Sequence, residues 1–184
     1  MKLNILLAAA GLAAVTVFTS AMSFAASRAE IDKSVGTTLT QFNSLNSSNR
    51  GLLKKAAGVL VFPEVTKAGA GVGGEHGQGV LQVKGKTVGY YSVASASVGL
   101  TLGVAQRSEI IVFMTKGSLN KFVKSKGWSI GADTGIVVIS GGASGDYDTQ
   151  TLQKPIIGFI FGEKGLIADV SFEGSKVSKI DRFS

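Results

Sequence analysis

The sequence has no cysteine and only one histidine, His76, in 184 residues. Without cysteine there are no disulfides, although an exported chain would be free to use them. The lipid-modified cysteine of bacterial lipoproteins is excluded for the same reason. With no cysteine and one imidazole, a metal site of the usual nitrogen and sulfur type lacks ligands. Asp146-Tyr147-Asp148 is a pair of carboxylates without the further oxygens of a calcium loop. Asp133 and this pair read as turn formers. Ser144, His76 and Asp146 supply the residue types of a hydrolytic triad. However, Gly141-Gly142-Ala143-Ser144-Gly145 is not G-x-S-x-G, and no nucleophile elbow is read ahead of a helix. The expectation is a protein that is not an enzyme and needs no metal or cofactor.

An uninterrupted apolar run of about 20 residues, the length that spans a bilayer, is also missing. The apolar stretch from Leu3 to Phe18 falls short, and Thr16, Thr19, Ser20 and Ser23 weaken its far end. Lys2 is the only charge before Arg28, and Ser23-Phe24-Ala25 offers small residues at the two places a signal peptidase requires. Residues 1–25 therefore read as a signal peptide, with an uncleaved anchor as the alternative. The expected location is periplasmic or envelope-associated, and secretion to the medium stays open. Removing the leader from 184 residues leaves about 159, a length suited to one domain with a sizeable core. The formal net charge of +7 falls to +6 with the loss of Lys2. That excess suits anionic partners, or simply solubility.

Two kinds of pattern fill the remaining chain. Ser27-Arg28-Ala29-Glu30 is a capping box, and Ile31, Val35, Leu39, Phe42 and Leu45 recur at helical spacing, which predicts an amphipathic helix over about 28–45. A shorter helix over about 48–57 carries Leu52, Leu53 and Ala56 and stops at Gly58. Residues 26–57 thus form a helical segment, and 58–184 a β domain.

In that domain short β-branched runs alternate with glycine: Val59 to Phe62, Val80 to Val83, Val88 to Val93, Val98 to Val104, Ile110 to Met114, Ile136 to Ile139, Ile156 to Phe161, Leu166 to Phe172 and Val177 to Ile180. Lys84-Gly85-Lys86, Glu163-Lys164-Gly165 and Glu173-Gly174-Ser175 read as hairpin turns. A helix over Ser118 to Lys124 interrupts the strands. Two runs, Ile110 to Met114 and Ile156 to Phe161, are apolar throughout and need cover on both faces. The predicted fold is mainly β (α+β): a curled antiparallel sheet or barrel, covered by the N-terminal helix, with one short inserted helix.

Gly69-Ala70-Gly71-Val72-Gly73-Gly74 matches a dinucleotide fingerprint by letter. No helix opens at its end and no acid lies near residue 94, so it reads as a bent loop or strand edge. Lys116, Lys121, Lys124 and Lys126 fall within eleven residues that contain no acid, and Trp128, the only tryptophan, follows. Such lysines beside an indole suit a lipid headgroup interface, where each contributes about 1 kcal/mol. The plainer reading is a solvated helix face beside a core tryptophan. Lys54-Lys55 forms a second, smaller candidate. Nucleic acid fits poorly, because export removes the target and no basic–aromatic alternation continues along a strand.

From about Ala57 to Ile180 the chain resembles the SYLF domain family. The resemblance is carried by Gly58-Val59-Leu60-Val61-Phe62-Pro63, Lys67-Ala68-Gly69, Gly71-Val72-Gly73-Gly74, Gly77-Gln78-Gly79-Val80-Leu81 and Gly89-Tyr90-Tyr91. It continues in Phe113-Met114-Thr115, Gly127-Trp128, Lys154-Pro155-Ile156-Ile157-Gly158-Phe159, Gly165-Leu166 and Glu173-Gly174-Ser175-Lys176. Ala70 stands where many relatives carry an aromatic. The resemblance implies a non-catalytic domain with affinity for anionic or phosphorylated lipid at a membrane surface. A structural or interaction protein that binds another envelope protein is the alternative.

Overall fold

The structure, a computed structural model, describes residues 26–131, 135–139, 149–162, 165–167, 172 and 174–181. The expected signal peptide, Asp133, Ser144, Asp146 and Asp148 lie outside these residues.

Helix α1 (Arg28–Leu45) begins on the predicted cap: the Ser27 N–H donates to Glu30 Oε2 at 2.7 Å and the Glu30 N–H to Ser27 Oγ at 3.3 Å. Helix α2 (Asn49–Lys55) follows after a tight corner. The corner is held by Asn49, fully buried, whose Nδ2 donates to the Phe42 carbonyl at 2.5 Å.

The next two elements differ from the expected series of short strands. Strand β1 (Gly58–Val83) and strand β2 (Lys86–Phe113) run unbroken for 26 and 28 residues and pair antiparallel from Gly58↔Phe113 to Val83↔Lys86. The turn between them is the predicted one, with Lys84 at φ 52° and Gly85 at φ 74° as a two-residue hairpin loop needs. The glycine-rich stretch after Lys67 is thus strand, not loop. Backbone pairing does not require side chains, so glycines that read as punctuation are carried inside the ladder.

Laid straight, a strand of this length would run about 85 Å. Instead the ribbon bends, with register shifts between Phe62 and Val65 and between Ala70 and Val72. Pro63, which has no N–H to give, sits in the first irregularity. The bend brings the two halves of β1 together. A methyl group at Gly77 would lie 2.7 Å from the Glu64 carbonyl oxygen, and one at Gly79 would overlap the Val61 carbonyl outright. Glycine is required there by close approach.

Helix α3 (Lys116–Lys124) follows β2, two residues earlier at its start than predicted, because Thr115 caps it by accepting from the Ser118 N–H at 3.1 Å. The remaining elements are β3 (Trp128–Ser129), β4 (Ile136–Ile139), a single helical turn α4 (Thr149–Leu152), β5 (Ile156–Gly162), β6 (Gly165–Leu166) and β7 (Lys176–Lys179).

The sheet runs β3-β7-β2-β5-β4, with β1 also on β2 and β6 also on β5, and curls into a half-barrel. It is mixed where a wholly antiparallel sheet was expected. β4 lies parallel to β5, and the chain between them, through α4, supplies the crossover that parallel neighbours need.

The predicted two-sided cover is present. On one face Ile31, Val35 and Phe42 of α1 pack on Val59, Val61, Ile110, Val112, Ile157 and Phe159. Phe42 meets the Phe159 ring edge-on at 4.7 Å. On the other face Leu60, Phe62, Ile111, Phe113 and Ile160 form a second core with Leu81, Tyr91, Phe122, Ile130 and Phe172. Each such side chain contributes about 1.5–3 kcal/mol on burial, which explains why neither run alternates.

Candidate functional site

The candidate basic residues sit around one end of the β1–β2 ladder. Leu119 and Phe122 turn one side of α3 into the core. Phe122 stacks on Phe113 at 4.9 Å and lies 5.0 Å from Tyr91. The opposite side carries Lys116, Lys121 and Lys124, all exposed, with Val123 52 % exposed among them. Lys126 is exposed in the following connection.

Trp128 is half-buried: its ring stands edge-on to Phe122 at 5.2 Å and 5.9 Å from Phe113. The indole belongs to the packed side of this region, and the lysines form the wet side. Lys54 and Lys55 are exposed in the last turn of α2. The start of β1 links the two groups, since a methyl at Gly58 would come within 2.8 Å of Leu119 Cδ1. The Ala57 N–H also donates to the Phe113 carbonyl at 2.8 Å. Both basic segments thus flank the same ladder end.

A second constellation was not singled out from the sequence. Arg107 lies in β2 between two carboxylates. Its Nη2 is 2.5 Å from Glu75 Oε2 and 2.8 Å from Glu109 Oε1, and its Nε donates to Glu109 Oε1 at 2.9 Å. Ser95 Oγ donates to Glu75 at 3.1 Å, and Lys67 Nζ is 3.6 Å away. The Glu109 side chain is 1 % exposed, and its Oε2 has no hydrogen-bond partner among the described residues.

Burial pushes the Glu109 carboxyl up to about 7 despite the charge and hydrogen bond of Arg107. Burial also acts to raise Glu75. There the Arg107 hydrogen bond and charge, Ser95 and Lys67 together outweigh it and hold the carboxyl below its ordinary range. The Arg107 guanidinium therefore serves both carboxylates, with Ser95 and Lys67 helping to hold Glu75 low while burial prevails at Glu109. The cluster ties the second half of β1 to the far half of β2 across the bend. The available signal was alternation: Arg107 and Glu109 share a strand face with Ile111 and Phe113, so charge continues into a core row.

His76 is exposed on β1, beside a hollow of about 320 Å3 that Glu30 and Glu64 also line. Among the described residues no group of three or more His, Asp or Glu could hold a metal ion.

The model of the Ysc84 family, described as "Las17-binding protein actin regulator", matches residues 94–182. This is the SYLF family of the sequence resemblance. Residues 94–182 carry a SYLF domain. The matched segment takes in most of β2, α3 and every later element, while β1, which pairs with β2 along its whole length, precedes it. No curated protein matches the chain.

Proposed function

We propose that this SYLF protein is an exported, non-catalytic binder of anionic or phosphorylated lipid, acting at a membrane surface of the bacterial envelope. The observation that carries the reading is the α3 region. Its apolar side is held by an aromatic cluster, while Lys116, Lys121, Lys124 and Lys126 face solvent around Val123 in a stretch with no acid between Glu109 and Asp133. The helix backbone is already folded when it meets headgroups, and each lysine adds about 1 kcal/mol of attraction at an anionic surface. Attachment is peripheral in this reading, and no helix among the described residues is long and apolar enough to cross a membrane.

Sedimentation with phosphatidylglycerol-containing vesicles tests it. Binding is expected at low salt, to weaken as salt rises, and to fall about a hundredfold in the triple variant Lys121→Ala/Lys124→Ala/Lys126→Ala. Failure to sediment with vesicles of any composition would sink the proposal. The family description names a protein-binding activity, which keeps an envelope protein partner as the second reading. Capture of a defined partner together with indifference to lipid would favour it.

A further inference from the structure

A groove of about 450 Å3 lies between the second half of α1, α2 and the β1–β2 turn. Its apolar wall is Leu39 and Leu53, both half-buried, and its rim carries Arg50, Lys54 and Lys84, all exposed. Among the described residues no acid lines it, and none of the three cations is in an ion pair. Asn43 also lines it, with its Oδ1 buried and without a hydrogen-bond partner among the described residues.

Three cations brought to one rim from two separate elements repel one another, which favours an anion between them. The apolar wall below them is unsuited to a fully hydrated inorganic ion. The volume falls within the range of about 300–1,000 Å3 typical of small-molecule pockets. That holds a headgroup and glycerol but not two acyl chains.

We infer that this groove is a one-to-one site for the headgroup of a single anionic glycerophospholipid. The phosphate lies among Arg50, Lys54 and Lys84, and the first methylenes rest on Leu39 and Leu53. The inference rests on the lipid-surface reading for its ligand but not for its site, since the lysines of α3 take no part in it. A surface recognises charge density in a bilayer, whereas a groove recognises one molecule.

The test separates the two. Purified protein is titrated with dihexanoyl phosphatidylglycerol below its micelle concentration, by calorimetry and by backbone amide shifts, with inorganic phosphate as the headless control. The expected result is saturable one-to-one binding, with shifts centred on residues of α2 and the turn at Lys84-Gly85. Arg50→Ala and Lys84→Ala each weaken it about fivefold, the equivalent of one cation's contribution, and Lys121→Ala/Lys124→Ala leaves it unchanged.

Three results would overturn the groove: no saturable binding of the monomer, equal affinity for inorganic phosphate, or indifference to Arg50→Ala and Lys84→Ala. If vesicles still sediment the protein in those cases, the surface reading survives alone. If the monomer binds through the groove and vesicles do not sediment the protein, the groove stands and the α3 surface falls.

Discussion

Among the described residues Glu109 departs furthest from the chemistry of its type. Burial raises its carboxyl from 4.5 to about 7, so between these values the folded state binds a proton that the unfolded state has lost. Its contribution to stability is therefore whole below about pH 4.5 and is lost as pH rises to about 7, by up to roughly 3 kcal/mol. Glu75, held low, works in the opposite sense but in a separate window, losing its contribution only as pH falls below 4.5. Urea unfolding at pH 5, 6, 7 and 8 should show stability declining over this span. Glu109→Gln, which keeps the shape and removes the charge, should flatten the decline and be the more stable protein at pH 8. An unchanged slope in that variant would show that the cluster is not its source.

Glycine positions give a second contrast at this scale. Gly79→Ala drives a methyl into the Val61 carbonyl and should cost about 1–3 kcal/mol. Gly36→Ala, in open space on α1, should stabilise by about 0.5–1 kcal/mol. Urea midpoints of the two variants check both signs.

At the scale of elements, α3 divides cleanly into a side that holds and a side that faces out. Phe122 contacts Phe113, Tyr91 and Trp128 at once, so Phe122→Ala should cost about 3–5 kcal/mol. Lys121→Ala/Lys124→Ala, on the exposed side, should stay within about 0.5 kcal/mol per residue. Measured by thermal or urea unfolding, this separation is what makes the lysine variants clean probes of lipid binding. Helices α1, α2 and α3 were legible in the sequence because their signals are local: the cap at Ser27 and Glu30, and apolar residues three and four apart; the single turn α4 carries no such signal and was not. The long ribbon was not legible. Its glycines carry the same letters whether they end a strand or let one strand cross another closely, and only the contact at Gly77 and Gly79 distinguishes the two.

The described residues form one sheet with two cores, and neither core belongs to a segment that stands alone. β1 supplies Leu60 and Phe62 to one face and Val59 and Val61 to the other, yet it precedes the family-matched residues 94–182. That segment on its own would leave β2 without its longest partner, β1, and the core under α1 without its helix. Residues 94–182 expressed alone should show no cooperative unfolding by circular dichroism, whereas the chain from Ala26 should unfold in a single transition. A cooperative transition in the isolated segment would contradict this account of the fold.

The sequence by itself determined the helix cap, the Lys84-Gly85 turn, the β-rich class, the need for cover on both faces of two strands, and the family. These depend on residues near one another in the chain or on composition. Tertiary structure alone decided three things. It made Arg107 a clamp between Glu75 and Glu109, 32 and 2 residues away. It turned Trp128 partly into the core rather than fully outward. It gathered Arg50, Lys54 and Lys84 around one groove. Each depends on where the bent ribbon returns, and that is set by how two long strands fold over a shared core, a property no local stretch of sequence carries.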